Sequence, residues 1–289
     1  MTLDVKKLSA VALLLFGIAI VYWQVFQRLI EAWIVDGNYS HGWLIIPLAG
    51  YFAWERRARL AATPVRSSWF GLVVLAGSIL VLLAGLYGSE LFLTRVALVG
   101  TVAGIVLYLY GWAHLRILAF PIAFLLLMIP LPAIVFNKIA FPLQLFASRV
   151  GESAISAANI PVLREGNVLI LANTQLEVAE ACSGIRSLVS LVTLGLVYGY
   201  FSDQRFWVRA VIVASTVPIA ILANGARVAG TGIAAHYFGP KAAEGFFHEF
   251  SGWALFVVAF VMMLVIQKLI LRIAPAPAQH VPGQPIAAV

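Results

Sequence analysis

The sequence predicts an all-α polytopic membrane protein with about eight transmembrane helices and a small extracytoplasmic β-hairpin before the sixth. Hydrophobic residues make up 62% of the 289 residues, and charged residues make up only 11%. Apolar runs of about twenty residues, the length that crosses a bilayer as a helix, recur from one end of the chain to the other. Lysine and arginine mark the cytoplasmic loops of such proteins, so the net charge of +7 does not require a nucleic-acid partner.

The membrane spans are assigned from apolar composition. They cover residues 8–29, 42–54, 69–87, 91–110, 117–136, 184–201, 210–234 and 251–271. The first is interpreted as a retained span because no small-residue cleavage site follows it. The fifth contains Pro121, Pro130 and Pro132, so we expect a kinked or broken helix near residues 128–133. The backbone groups freed by such a break must bond to protein or water.

The segments between the spans are assigned by composition and periodicity. Residues 31–41 are expected to be a polar loop, and residues 137–158 an amphipathic helix at the outer interface. Residues 168–170 and 175–178 predict a β-hairpin that turns at residues 172–174, just before the only cysteine. Residues 1–274 are expected to form one transmembrane domain, followed by a disordered proline-rich cytoplasmic tail at 275–289.

The distribution of cations predicts the orientation of the spans. Arg56, Arg57, Arg59 and Arg66 follow the second span and give the strongest cytoplasmic signal in the chain. Both chain termini are then cytoplasmic. The start of the sixth span, the end of the seventh and the start of the eighth then lie at the outer face of the membrane.

Cys182 is the first candidate functional residue. It is the only cysteine, which excludes an internal disulfide and a multi-cysteine metal site, and no metal or cofactor is expected. Ser183 and Gly184 are small enough to leave its sulfur open. On a helix Arg186 would share a face with Cys182, with Cβ atoms roughly 6 Å apart. A cation and a helix N-terminus lower the pKa of a thiol and favour thiolate. The alternative is a small buried hydrophobic residue.

Two further polar residues are predicted at the same depth. Arg227, which follows Asn224, lies about 26 Å beyond Ala210 along a helix and so near the outer boundary. A charge at that depth usually faces the protein interior or a wet cavity, although an arginine can also extend to the headgroups. His248 falls just before the eighth span. With Cys182, these side chains would supply a nucleophile, a cation for the oxyanion and a proton carrier for acyl transfer.

Other histidines compete for the role of proton carrier. His41 also lies at the outer face, where it could act as the base or bind substrate. His236 is on the same side but in a loop that we expect to be mobile, so it is ranked lower. Cytoplasmic placement excludes His114 and His280.

Three blocks of sequence, in this order along the chain, resemble the exosortase/archaeosortase family. They are Ser40-His41-Gly42, residues 181–187, and residues 223–227 followed by 236–239 and 248–253. The resemblance covers about residues 1–272. It implies a membrane-embedded cysteine protease or transpeptidase with Cys182 as nucleophile, Arg227 as the cation and His248 as the acid/base. Arg186, His41, Ser183 and Asn224 are expected to support these residues or to bind substrate.

The resemblance also implies partners and a location. The substrates would be exported proteins with a C-terminal signal that consists of a Pro-Glu-Pro motif, a transmembrane helix and a basic cluster. The thioester would be resolved by water, or by an amine on a lipid or glycan acceptor. The protein would lie among the lipids of a bacterial inner membrane, with its site facing the periplasm.

The sequence is also compatible with two other classes of protein. A transporter, or a lipid- or glycan-processing membrane protein with a structural cysteine, would use Arg227 and the broken fifth span as a midplane site. The polar groups gather at one face instead, and no internal repeat is evident, which counts against this class. A structural or assembly subunit would hold an inert Cys182, which an outer-face thiol reagent would barely label.

Overall fold

The computed structural model describes residues 5–172, 174–178, 184–203, 205–239 and 246–275, and for some of these, including 246–252, it describes the backbone alone. Within this part of the chain the residues pack as two compact units, Met1–Asn137 and Lys138–Val289. Cys182 and Ser183, as well as the tail expected after residue 275, lie outside the described residues.

The first unit is helical throughout. Its elements are α1 (Val5–Val21), α2 (Trp23–Val35), a 3-10 turn (Gly37–Tyr39), α3 (Gly42–Glu55), α4 (Arg57–Ala62), α5 (Phe70–Tyr87), α6 (Leu91–Tyr110), α7 (Trp112–Phe124), a second 3-10 turn (Leu125–Met128) and the start of α8 (Ala133–Ala157). Helices α5 and α6 form a tightly packed antiparallel pair joined by residues 88–90. A Cβ atom on Gly104 would lie 2.9 Å from Cγ of Leu75, so this contact depends on glycine.

The first span is bent, which the sequence analysis did not predict. Helices α1 and α2 meet at Tyr22 with an angle of 71° between them. Tyr22 is buried, and its hydroxyl shares a 2.6 Å hydrogen bond with the hydroxyl of Thr101 on α6. The expected polar loop at 31–41 is wrong for its first residues, because α2 continues to Val35.

The break in the fifth span is confirmed. Helix α7 ends at Phe124, the 3-10 turn ends at Met128, and α8 begins only at Ala133. Side chains from the α2–α3 region bond to the exposed backbone of the turn and the break. Trp33 Nε1 donates to the carbonyl of Met128 (2.9 Å), Tyr39 Oη accepts from the backbone N–H of Leu131 (3.0 Å), and His41 Nε2 lies 3.2 Å from the carbonyl of Leu127. The protein itself thus satisfies backbone groups that lipid could not.

The second unit contains helices and one small sheet. Its elements are the rest of α8, β1 (Val162–Glu165), β2 (Val168–Leu171), β3 (Thr174–Glu177), α9 (Ile185–Ser202), α10 (Phe206–Phe238) and α11 (Phe246–Ile273). The sheet is antiparallel in the order β1-β2-β3, and Leu169 pairs with Leu176. The predicted hairpin is therefore confirmed as β2 and β3. The sequence analysis missed β1, although Gly166-Asn167 is a common two-residue hairpin turn.

Two apolar clusters hold the second unit together. One joins the sheet to α8 and α10 through buried residues that include Ile155, Leu169 and Val228. The other joins α9, α10 and α11, with Leu191, Ile212 and Met263 at its centre. The amphipathic segment expected at 137–158 is helical as predicted, within α8.

The predicted class is confirmed, but the count of eight spans is not. In the described part of the chain, five helices are long and apolar enough to cross a membrane: α5, α6, α9, α10 and residues Phe256–Ile273 of α11. Counting the broken pairs α1–α2 and α7–α8 as one span each raises the number to seven. Helix α3 has only 14 residues and is too short by the same measure.

Replacing Trp33 with phenylalanine should destabilise the first unit. The variant keeps an aromatic ring but leaves the buried carbonyl of Met128 without its indole donor. We expect a loss of about 1–3 kcal/mol, seen as a lower thermal unfolding midpoint in detergent. Trp69→Phe is the control, because Trp69 is 74% exposed. Equal midpoints for the two variants would show that the indole bond does not matter.

Candidate functional site

A glycine with a positive φ lies at the start of α9. Gly184 caps the helix with φ +80°, in the left-handed region that side chains with a Cβ atom disfavour. A Cβ atom there would also lie 2.8 Å from Cγ of Asn224 on α10. Helix α9 therefore begins at Ile185, and Arg186 lies in its first turn. The expected shared helical face of Cys182 and Arg186 stays a prediction, since Cys182 lies outside the described residues.

Helix α10 is fixed from two sides just before Arg227. Asn224 is 5% exposed and lies against Gly184 of α9. The neighbouring Gly225 lies against α8, where a Cβ atom would come within 2.7 Å of Val150. These contacts set the rotation of α10 about its own axis, and with it the direction of the half-buried Arg227, which lies one turn later.

Arg227 lines a small cleft between three helices. The cleft is bounded by Ser187 and Leu191 of α9, Ala223, Asn224 and Arg227 of α10, and Phe256 and Ala259 of α11. Arg186, by contrast, is exposed and is not among the lining residues. A guanidinium beside amide and hydroxyl groups in a largely apolar cleft is suited to bind a carbonyl oxygen or an oxyanion. The sequence analysis did not single out Ser187, although it ends the cysteine-containing block.

A second crevice lies on the other side of Asn224. Gly184 and Leu188 of α9 line it together with Ala220, Ile221 and Asn224 of α10 and residues of α8. Asn224 therefore borders both crevices, and the start of α9 separates them. The expectation that Asn224 has a supporting role stays a prediction, but the structure makes it the residue that contacts the chain nearest to Cys182.

The candidate histidines lie in different parts of the structure. His248 belongs to α11, but its side chain lies outside what is described. His41 belongs to the first unit, where its Nε2 lies at the carbonyl of Leu127, and burial lowers its pKa. His236 was expected in a mobile loop, and that is wrong, because it lies in the last turn of α10 with its ring 5.0 Å from that of Tyr237.

Of the predicted site residues, Arg227 and Asn224 are brought together on α10, and Arg186 lies apart from them on the surface. In the described ranges no group of His, Cys, Asp or Glu side chains could hold a metal ion. The described part of the site is thus a largely apolar cleft between membrane-spanning helices, with Ser187, Asn224 and Arg227 as its polar residues.

A polytopic helical membrane protein with such a cleft matches one known family model. The model described as transmembrane exosortase matches residues 33–265. The chain therefore belongs to the transmembrane exosortase family, as the sequence blocks predicted. The family is membrane-embedded and acts on proteins with C-terminal sorting signals. No curated protein and no solved structure matches the chain.

Gly184→Ala should be more damaging than another glycine substitution at positive φ. Both Gly184 (φ +80°) and Gly166 (φ +64°) are in the left-handed region, but a Cβ atom on Gly166 meets nothing within 4 Å. Gly166→Ala should cost only the backbone strain, about 1–2 kcal/mol. Gly184→Ala should cost about 1–3 kcal/mol more from overlap with Asn224.

The measurement is the thermal unfolding midpoint of each purified variant in one detergent. A midpoint for Gly184→Ala equal to that of Gly166→Ala would mean that the start of α9 can move away from Asn224 at no cost.

Proposed function

We propose that the protein is a cysteine transpeptidase or protease that cleaves the C-terminal sorting signal of exported proteins through a thioester on Cys182. The observation that carries this proposal is the contact between Gly184 and Asn224. Cys182 is two residues before Gly184, so covalent geometry alone limits the separation of their Cα atoms to about 7.6 Å. Arg227 lies one helical turn beyond Asn224. The nucleophile and the cation thus belong to one neighbourhood of the second unit.

The proposed reaction is acyl transfer. The thiolate of Cys182 attacks the scissile carbonyl carbon, a C–S bond forms, and the oxyanion is stabilised by the guanidinium of Arg227. The C–N bond then breaks, and the leaving amine takes a proton from His248. In the second half, His248 accepts a proton from water or from an acceptor amine as that nucleophile attacks the thioester carbon. The C–S bond then breaks, and Cys182 leaves as the thiolate. Hydrolysis gives a free carboxylate, and an amine on a lipid or glycan gives a transpeptidation product.

The remaining groups have supporting roles in this proposal. Ser187 and Asn224 line the cleft with Arg227 and offer hydrogen bonds to the substrate backbone. His41 is the weaker candidate for the base, because its ring lies at the carbonyl of Leu127 and holds the broken fifth span. Residues 1–274 would act as one transmembrane domain in a bacterial inner membrane, with cytoplasmic termini and the site at the periplasmic face.

Replacing Cys182 should abolish processing without loss of the protein. We expect no cleavage of a tagged sorting-signal substrate by Cys182→Ala at matched membrane abundance. Cys182→Ser should be nearly inactive, because a hydroxyl is far less ionised than a thiol at neutral pH. Normal cleavage by the alanine variant would remove the nucleophile assignment. Mass spectrometry of the new C-terminus of the substrate made by the wild type then separates a free carboxylate from an added acceptor.

The two arginines near the site should respond differently to lysine. Arg227 lines the cleft, so Arg227→Lys, which loses the planar guanidinium, should lower the rate of cleavage by about 100-fold. Arg186 is exposed, and Arg186→Lys should retain most activity as the matched control. A larger loss in the Arg186 variant would reverse the roles of the two residues.

A further inference from the structure

A cavity in the first unit lies away from the residues discussed above. It occupies about 250 Å³ between α2, the end of α5 and the start of α6. Since one water molecule takes about 30 Å³ of liquid, this space admits several waters or a group as large as a phosphate. Its lining combines polar and apolar side chains: Gln24, Val25, Arg28, Gly85, Leu86, Ser89, Leu91 and Thr94.

Two guanidinium groups give this cavity its charge. Arg28 lines it and is exposed, whereas Arg95, the residue after Thr94, is only 5% exposed. Nη2 of Arg95 donates to the carbonyl of Arg28 (3.1 Å), and its Nε is buried with no hydrogen-bond partner in the described ranges. The side chains of Arg28 and Arg95 also repel each other electrostatically.

Among the described residues, neither Arg28 nor Arg95 forms a direct ion pair with a carboxylate. The ion pairs of that part of the chain include Arg164 with Glu152 and Arg205 with Asp203. Glu90 is near enough to act on Arg95, but its Oε1 accepts from the backbone N–H of Phe92 at the start of α6. Glu90 thus offsets the charge on Arg95 only in part. A buried charge in a membrane-spanning helix is costly and usually marks a functional site, and here Nε of the Arg95 guanidinium has no partner among the described residues.

We propose that the cavity binds a phosphate group, carried by a phospholipid headgroup. Helix α5 ends and helix α6 begins beside this cavity. The cavity therefore lies at a membrane boundary, where lipid phosphates are found. Arg28 would contact the phosphate, as arginine commonly does, and Gln24 and Ser89 would donate from two sides. Arg95 would act from behind as a fixed positive charge. This inference does not rest on the role of Cys182.

The decisive variant is Arg28→Gln. It removes the charge that faces the cavity but keeps the backbone carbonyl to which Arg95 donates, so the contact between α2 and α6 is preserved. Arg59→Gln is the matched control, because Arg59 is an exposed arginine on α4 of the same unit and its loss changes the net charge equally.

The experiment measures binding of dioleoyl phosphatidylglycerol to the purified full-length protein by native mass spectrometry. Dioleoylglycerol, which has the same acyl chains and no phosphate, is the comparison lipid. We expect Arg28→Gln to weaken phosphatidylglycerol binding about tenfold, the effect of losing one charge-assisted hydrogen bond. Arg59→Gln should stay within about twofold of the wild type, since one exposed surface cation contributes little to a specific site.

A second arm identifies the source of the phosphate. Sodium phosphate is added against sodium chloride at equal ionic strength. If inorganic phosphate displaces the lipid, the cavity binds a phosphate group with or without acyl chains. If inorganic phosphate does not displace the lipid, the phospholipid is the ligand. The proposal is overturned by equal phosphatidylglycerol affinity for the wild type and Arg28→Gln, by equal loss in both variants, or by equally tight binding of dioleoylglycerol.

Discussion

Close approach of helices at glycine is the constraint on which both units depend. In lipid, helices gain little from burying apolar side chains, so their association relies on tight van der Waals packing. Gly71 lies against the backbone of Tyr108 between α5 and α6, and Gly195 lies against Thr216 between α9 and α10. A methyl group at either glycine would overlap its neighbour. These positions therefore set the distance between the helices, and larger side chains fill the space around them.

The same constraint shapes the candidate site. Helix α10 is held by α8 at Gly225 and by α9 at Asn224, and these neighbouring residues point about 100° apart around the helix. Two contacts in different directions prevent α10 from rotating about its axis. The position of Arg227 on α10 is then a consequence of how this helix packs. A rigid helix is the kind of support that catalysis by a positioned cation requires.

A structural feature can be predicted from the sequence when its physical cause lies in the residues of that segment. The prolines of the fifth span predict its break, because proline acts on its own turn of helix. Trp33 and His41, which bond to the exposed backbone there, could not be assigned, since they come from a different part of the chain. The bend at Tyr22 has no proline or glycine behind it, and Tyr22 bonds to Thr101 on another helix. Strand β1 is a different case, because its turn signal was present and was overlooked.

The prediction of functional residues from the sequence has the same limit, as three arginines show. Arg227 was found because an asparagine and glycines surround it in an otherwise apolar span, whereas Arg95 lies in a span whose neighbours give no such signal. Arg186 was singled out for its spacing from the cysteine, a local relation that says nothing about whether its side chain is buried. What separates the three is their surroundings: Arg186 is exposed, Arg227 faces a cleft, and Arg95 is buried behind a cavity. Burial of a guanidinium is costly unless other groups bind it. Arg95, which no pattern in the sequence singles out, is therefore the arginine that most requires a ligand.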